Sequence, residues 1–272
     1  MQSRSATTIG LVGRIALLLL AALVAVPLAF ASRVGPEPYR RPHVPLQWEQ
    51  RRAVAQAASR GEPVYCGAGR SNAVALTFDD GPGEFTGQLI DELRAAGAHA
   101  TFFLVGNRLA DWPHAARAET GVGVVGNHSW SHKHLTEIPR WVAWLEVART
   151  QASVADELGW RPRLFRAPYE EHNSQTDAIA RSLGLVDVFW SVVSGDDHPK
   201  ATARSVVRNV TAGLRPGAIV LLHDIHPWTV QAVPEILREI RRRGLRAVSV
   251  PELLALDPPS AGQHCAFAPG VD

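Results

Sequence analysis

The sequence predicts an α/β fold in which about seven parallel strands curve into a distorted barrel with helices around it. One observation behind this prediction is the alternation of short apolar runs with amphipathic segments over residues 73–250. The other is that polar clusters come directly after five of the apolar runs. Parallel strands of a barrel end at one common mouth, whereas a doubly wound sheet concentrates its chemistry at one switch point. Clusters at five strand ends therefore favour the barrel.

Each element is predicted from its local pattern. The fully apolar run 73–76 is typical of a buried strand, whereas Leu89, Ile90 and Leu93 recur at the spacing of one helix face. Gly184 ends a helix because glycine accepts the left-handed conformation of a C-cap. The predicted strands are 73–78, 101–105, 122–125, 164–166, 186–193, 218–222 and 246–250, and the predicted helices are 48–59, 86–96, 141–158, 177–183, 202–214 and 233–243.

The length and composition are typical of a globular protein. It has 272 residues, of which 46% are hydrophobic, and a net charge of +2, enough for one large domain plus an appendage. The basic segment 238–243 contains an interleaved glutamate and no aromatic residue. Such a segment is typical of a solvated helix face, so we expect no nucleic-acid partner.

The N-terminus predicts export from the cytosol. Arg4 and Arg14 precede an apolar stretch, 15–31, that ends in Ala29-Phe30-Ala31. This is the pattern of a secretory signal, with cleavage after Ala31 as the first hypothesis and an uncleaved membrane anchor as the second. We therefore expect a protein that is secreted or held at the outer face of the cell membrane or wall, with a spacer at 32–71, a catalytic domain at 72–257 and a tail at 258–272.

The two cysteines, Cys66 and Cys265, flank the predicted domain. In an oxidising compartment they could form one disulfide that ties the tail to the domain. Two unrelated thiols are the alternative.

The sequence Thr77-Phe78-Asp79-Asp80-Gly81-Pro82 carries two adjacent carboxylates at the end of the first strand. Neighbouring side chains of a strand point to opposite faces, but a Gly-Pro turn relaxes that alternation. One carboxylate could then bind a cation while the other accepts a proton. An ordinary acidic turn is the alternative.

A second cluster, 126–132, contains His128 and His132 at i and i+4. This spacing places both imidazoles on one face of a helix, where they can share a cation with Asp80 as third ligand. Three such ligands leave positions open for water and substrate. Two surface histidines on a polar turn are the alternative.

Two further strand ends carry Arg166 and His223. The arginine could hold a carboxylate by a two-pronged contact, or form a surface salt bridge. The histidine follows a fully apolar strand and is a candidate general acid, although a lone histidine is more often structural.

Taken together, these motifs resemble the polysaccharide deacetylase family, carbohydrate esterase family four, over residues 72–257. The resemblance implies a single catalytic domain with one divalent metal ion, usually zinc, with cobalt, nickel or manganese as alternatives. It implies that Asp80, His128 and His132 are the metal ligands. The other implied roles are a catalytic base (Asp79) oriented by Arg166, a catalytic acid (His223) tuned by Asp196, an oxyanion donor (the Tyr169 backbone) and an apolar wall around the acetyl methyl (Leu221 and Leu222).

The chain departs from the family pattern at two places. The fourth motif usually resembles Asp-Ser/Thr-x-Asp-Trp, whereas this chain has Val193 and Asp197 at the first and last of these positions. The residue after Tyr169 is Glu170, where the family commonly has glycine. The first departure affects the pocket wall and the tuning of His223, with Trp190 or Trp228 as candidate replacements.

The resemblance implies a hydrolase that removes N-acetyl or O-acetyl groups from peptidoglycan or a chitin-like glycan. A metal-dependent amidase acting on a non-glycan N-acyl or imide substrate is one alternative, and an inactive glycan-binding envelope protein is another. The expected partner is an acetylated glycan, bound by a monomer that meets the membrane only through an uncleaved anchor.

Overall fold

In the computed structural model, which describes residues 46–263 and residue 265, eight parallel strands form one sheet, and helices separate most of them. The strands are β1 (Ala73–Asp79), β2 (Ala100–Leu104), β3 (Gly123–Asn127), β4 (Leu164–Phe165), β5 (Val186–Asp187), β6 (Val192–Val193), β7 (Ile219–His223) and β8 (Arg246–Val248). The α-helices are α1 (Trp48–Arg60), α2 (Thr86–Ala96), α3 (Ala115–Glu119), α4 (Arg140–Leu158), α5 (Ser174–Ser182), α6 (Ala203–Gly213), α7 (Pro227–Arg242) and α8 (Val250–Leu256).

Strand β1 is the centre of the sheet. The strand order is β5-β4-β3-β2-β1-β7-β6, and β8 pairs with β1 off this path. The C-terminal part of β1 pairs with β2 and β7, while its first residues pair with β8. The predicted α/β barrel with about seven parallel strands is thus confirmed, with β8 as an additional strand.

The two faces of β1 pack into different apolar clusters. Val74, Leu76 and Phe78 lie in the cluster that contains apolar residues of α2 and α7, whereas Ala73 and Ala75 lie in a second cluster with residues of α1 and α8. All seven residues of β1 are buried, and each large apolar side chain contributes about 1.5–3 kcal/mol by leaving water. Period-two alternation puts Thr77 and Asp79 on the same face as the two alanines.

The segment around Val64 and Cys66 bridges two distant parts of the sheet. Val64 forms a parallel bridge with Val188, and Cys66 an antiparallel bridge with Ala218. Cys66 is joined to Cys265 by a disulfide. Because α1 also packs on α8, residues 46–71 belong to the domain, although they were expected to be the end of a spacer. The expected signal or anchor segment lies outside the described residues, and within those residues no helix is both long and apolar enough to span a bilayer.

The predicted single strand over 186–193 is wrong. The chain forms β5, which pairs with β4, and then β6, which pairs with β7 at the other end of the sheet. The intervening backbone makes non-local hydrogen bonds, from Phe189 N to Val64 O and from Ser191 N to Ile219 O. An apolar run predicts extended backbone but not the partner of each residue, so the crossing could not be predicted from the run.

Candidate active site

Asp79 and Arg166 form a buried ion pair at the carboxyl end of β1. Arg166 Nη1 donates to Asp79 Oδ1 at 2.7 Å and to Thr77 Oγ1 at 2.8 Å. The arginine is fully buried and Asp79 is 2% exposed. The guanidinium also donates to two backbone oxygens, Val188 O at 2.8 Å and Phe189 O at 3.0 Å. Arg166 is therefore fixed in position and restrains one oxygen of Asp79.

The second oxygen of Asp79 faces the histidines. Asp79 Oδ2 lies 3.8 Å from His128 Nε2. Burial raises the pKa of Asp79, and the charge of Arg166 partly offsets that increase. A carboxylate with a raised pKa is a better proton acceptor than an exposed one, provided that it stays ionised.

Asp80 leaves the strand through a left-handed backbone conformation, with φ of 70°. A Cβ at Gly81 would lie 2.6 Å from Asp224 Oδ1, so any other residue there would force the Asp224 carboxylate to move. Asp224 accepts a hydrogen bond from the Thr86 hydroxyl at the start of α2. In a regular strand, Asp80 would point to the face opposite Asp79. The turn after β1 changes this direction and brings the two carboxylates to the same side.

His128 and His132 reach the same place through a loop and not through a helix. The expectation that both lie on one helical face is wrong, since residues 128–132 have no regular secondary structure. The chain turns through left-handed conformations at Ser129 (φ 66°) and His132 (φ 54°). A hydrogen bond from His132 N to Ser129 Oγ at 3.0 Å closes the turn.

The three expected metal ligands converge. His132 Nε2 lies 3.2 Å from Asp80 Oδ1 and 3.2 Å from His128 Nε2, and His128 Nε2 lies 3.6 Å from Asp80 Oδ1. All three ligand atoms are within 4.8 Å of one another. One ion could therefore contact all three side chains.

The surroundings of these side chains fit a cation. Asp80 Oδ1 is buried and has no hydrogen-bond partner among the described residues, which is costly unless a cation or water satisfies it. His128 Nδ1 donates to Arg166 O at 2.8 Å, which leaves Nε2 as the ligand atom. Burial lowers the pKa of His128 to about 3, so the imidazole is neutral, as a metal ligand must be.

A second group, His134, Glu137 and Glu171, also brings ligand atoms within 4.8 Å of one another. It fits a cation less well, because both oxygens of Glu171 already accept hydrogen bonds, from His134 and from Thr136, each at 3.0 Å. His134 is also 45% exposed in its side chain. Hydrogen bonding within the protein accounts for this group.

His223 lies at the end of β7, paired with Asp196. His223 Nδ1 donates to Asp196 Oδ1 at 2.8 Å, and His223 N donates to Asp196 Oδ2 at 2.7 Å. Burial alone would lower the pKa of His223, but the hydrogen bond and charge of Asp196, with smaller contributions from Asp79 and Asp80, raise it to about 10. The imidazole is therefore protonated at neutral pH and can donate a proton from Nε2.

The remaining expected site residues, Tyr169, Leu221 and Leu222, differ in exposure and in the side chains that they pack against. Tyr169 is 53% exposed, and its ring packs edge-on against His132. Leu221 belongs to the same cluster as Phe103 and Trp190, and is 8% exposed. Leu222 is fully buried in the cluster with α2 and α7, because adjacent residues of a strand face opposite sides. Leu222 therefore does not reach the site with Leu221.

Several residues of the site were not expected from the sequence. Thr77 could have been found, because it lies two positions before Asp79 on the same face of β1. Asp196 accepts hydrogen bonds from the hydroxyls of Ser194 and Thr229, at 2.8 and 2.7 Å, and its backbone oxygen accepts one from Trp228 Nε1 at 2.8 Å. No local pattern marks Thr229 as a partner of a residue more than thirty positions away. Trp228, a candidate from the sequence for the pocket wall, contacts the backbone oxygen of Asp196.

Comparison with known proteins places this chain in a family. Residues 67–188 match the family model described as polysaccharide deacetylase. The chain is 36% identical over 182 residues to the peptidoglycan-N-acetylglucosamine deacetylase PgdA of Listeria monocytogenes, an alignment that covers 66% of this chain and 38% of that protein. It is 33% identical over 187 residues to a peptidoglycan-N-acetylglucosamine deacetylase of Bacillus cereus, covering 65% of this chain and 68% of that protein.

A solved structure has the same fold. The family 4 carbohydrate esterase from Streptomyces lividans, in complex with acetate, matches with a TM-score of 0.64 and 34% identity, covering 69% of this chain and 98% of that one. The chain thus spans little more than a third of the Listeria protein and nearly all of the Streptomyces structure. On these matches, the chain belongs to the polysaccharide deacetylase family.

Proposed function

We propose that this chain is a metal-dependent hydrolase that removes acetyl groups from an acetylated polysaccharide outside the cytoplasm. The observation that carries the proposal is the 3.8 Å separation of Asp79 Oδ2 and His128 Nε2. It supports the proposal because Asp79, the proposed proton acceptor, lies beside three side chains that could hold one cation, Asp80, His128 and His132. A divalent ion held there would lower the pKa of water toward about 7 and polarise the acetyl carbonyl.

In this mechanism, Asp79 is the general base. Its Oδ2 accepts a proton from the water that attacks the acetyl carbonyl, while Arg166 holds Oδ1 at 2.7 Å. The restraint keeps the carboxylate in one orientation, so that its free oxygen stays toward the reacting water. A positioned base contributes typically about 10²–10⁴-fold to the rate.

His223 is the general acid. Its Nε2 donates a proton to the departing sugar nitrogen, or to the oxygen of an O-acetyl ester, while Asp196 holds Nδ1. The carbonyl carbon gains the hydroxyl of water, its bond to the sugar nitrogen or oxygen breaks, and acetate and a free amine or hydroxyl result. Asp196 keeps the imidazole charged and aimed, which an isolated histidine would not be at neutral pH.

Two further groups would contact the acetyl group. The backbone N–H of Tyr169 is the proposed donor to the carbonyl oxygen as it becomes negative, and loss of one such donor costs about 3 kcal/mol of barrier. Leu221 is the proposed wall beside the acetyl methyl, since it is the leucine of the pair that shares a cluster with Trp190.

Peptidoglycan is the favoured substrate. The two relatives described above are named as peptidoglycan-N-acetylglucosamine deacetylases, and the expected export signal would place the domain at the wall. We propose that the chain acts as a monomer, is secreted or anchored at the outer face of the membrane, and uses zinc, with cobalt, nickel or manganese as substitutes.

The test is acetate release from a panel of acetylated polymers. Peptidoglycan, chitooligosaccharides and acetylxylan are incubated with the full chain, first after chelation and then after addition of each metal. We expect acetate from peptidoglycan or chitooligosaccharide with added metal and none after chelation. Small cyclic imides are included in the panel, because turnover of imides without acetate release would instead support a non-glycan amidase. Glycan binding by metal-loaded protein without acetate release would show an inactive binding protein.

A further inference from the structure

The turn that carries Tyr169 is held in an unfavourable backbone conformation. Tyr169 and Glu170 have φ of 61° and 59°, the left-handed region that residues with a Cβ rarely occupy. Two consecutive residues of this kind persist only where the surrounding structure enforces them. The contacts of the next two residues, Glu171 and His172, provide that enforcement from two sides.

Glu171 ties the turn to the loop after the metal-ligating histidines. Its Oε1 accepts from His134 Nδ1 and its Oε2 from Thr136 Oγ1, each at 3.0 Å. The His134 ring also stacks face to face on Tyr169, with ring centres 3.8 Å apart and planes 7° from parallel. The carboxylate and the imidazole therefore hold both ends of the Tyr169–Glu171 segment against one loop.

His172 ties the turn to the segment that precedes Cys66 and to α5. Its Nδ1 lies 3.2 Å from Asp177 Oδ1 and its Nε2 lies 3.2 Å from Tyr65 Oη. Phe189 packs against the rings of both Tyr65 and His172. Tyr65 immediately precedes Cys66, which is held by the disulfide to Cys265. The second anchor is thus a cross-linked segment of the chain.

We propose that Glu171 and His172 are positioning residues that hold the Pro168–Glu170 turn in the conformation that aims the Tyr169 N–H at the acetyl oxygen. The inference rests on the proposed deacetylase function. Neither side chain needs to contact the substrate, because both act through the backbone of Tyr169. An N–H donor that binds the carbonyl oxygen most strongly in the transition state affects kcat and not KM.

The first test compares Thr136→Val with Thr136→Ser in the full, metal-loaded chain, using fully acetylated chitooligosaccharide. Valine removes the hydroxyl that binds Glu171, and serine keeps it. We expect kcat to fall about tenfold in Thr136→Val, within the range for a misplaced catalytic group, with KM unchanged and with kcat recovered in Thr136→Ser. Thr211→Val is the matched control, since Thr211 of α6 is partly buried, as Thr136 is, and its hydroxyl binds Arg208 O at 3.1 Å.

The second test uses glycine at position 170 as a rescue. Glycine adopts the left-handed conformation without the steric cost of a Cβ, so the turn should depend less on its anchors. The loss of kcat from Glu171→Ala, or from His172→Ala, should be smaller in the Glu170→Gly background than in the wild-type background. Equal losses in both backgrounds, or losses expressed only in KM, would overturn the proposal.

Hydrogen exchange of residues 166–173 provides a readout that does not depend on activity. Faster exchange in Glu171→Ala and His172→Ala, with unchanged exchange in Thr211→Val, is the expected result. Unchanged exchange would overturn the proposal that Glu171 and His172 hold the turn, even if the wild type proved inactive. A wild type that releases no acetate would instead refute the proposed function, so the two failures can be told apart.

Discussion

Arg166 binds only one oxygen of Asp79, at 2.7 Å, and leaves the other oxygen free to face His128 at 3.8 Å. This one-sided contact separates the structural role of the carboxylate from its proposed catalytic role. Asp79→Asn keeps an oxygen that can accept from Arg166 but cannot take up a proton.

We expect Asp79→Asn to lower kcat by at least 100-fold, which is within the contribution of a general base. The fold should persist, because Arg166 retains its other acceptors, Thr77 Oγ1, Val188 O and Phe189 O. The measurements are kcat for acetate release, metal content and the unfolding midpoint. A folded, metal-loaded variant with kcat within tenfold of wild type would exclude Asp79 as the base.

The second prediction concerns metal binding. His132→Ala removes one of the three ligands while leaving His128 Nδ1 bound to Arg166 O, and the side chain of His132 lies at the rim, 26% exposed. We expect loss of one equivalent of bound metal and loss of acetate release, with little change in the circular dichroism spectrum. Metal content by atomic emission is the measurement. His198→Ala, at an exposed histidine that accepts a hydrogen bond from Lys200 N, is the control, and retained metal in His132→Ala would contradict the ligand assignment.

The third prediction concerns the alkaline limb of the pH–rate profile. His223 must be protonated to act as an acid, and its pKa is raised to about 10, chiefly by Asp196 acting against burial. Activity should therefore fall as the pH rises through the pKa of His223. Asp79 must be ionised, and its pKa is raised by burial, so activity should also fall at acidic pH and the profile should be bell-shaped.

Asp196→Asn removes the negative charge while keeping a side chain of the same shape. The pKa of His223 should fall, and the alkaline limb of kcat/KM should move to lower pH by more than one unit. The acidic limb serves as the internal control, because it reports Asp79. An alkaline limb that stays in place would show that His223 is not the group titrating there.

The sequence predicts the parts of this site that depend on local patterns. The apolar run before Asp79 and the polar residues after each strand were enough to bring Asp79, Asp80, Arg166 and His223 to one mouth. His128 and His132 were predicted to converge on one face of a helix, but they converge through a loop. The i, i+4 spacing does not reveal that Ser129 has a left-handed backbone conformation. The motif assigned both Leu221 and Leu222 to the pocket wall, but alternation along β7 puts only Leu221 on the side of His223. The division of 186–193 into two strands depends on distant hydrogen-bond partners, which no local pattern contains.

The fourth prediction concerns stability and a buried acid outside the site. Glu119, at the end of α3, is fully buried, and within the described part of the chain neither of its carboxylate oxygens has a hydrogen-bond partner. Burial raises its pKa well above the usual value, and the charges of Asp224 and Glu157 add to the increase. The folded state therefore holds the proton more tightly than the unfolded state does.

The sign follows from proton linkage. An acid with a raised pKa in the folded state destabilises that state progressively as the pH rises above the unfolded pKa, near 4.5. Glu119→Met removes the buried carboxyl while keeping most of its volume. We expect the free energy of unfolding to rise by roughly 1–3 kcal/mol at pH 8, the cost of an unsatisfied buried polar group, and by less at pH 4.5. Denaturant titrations at the two pH values, with the disulfide intact, measure the difference. Glu49→Met, at an exposed glutamate of α1, should show no such pH-dependent gain, and an equal change at both pH values in Glu119→Met would show that Glu119 does not titrate as proposed.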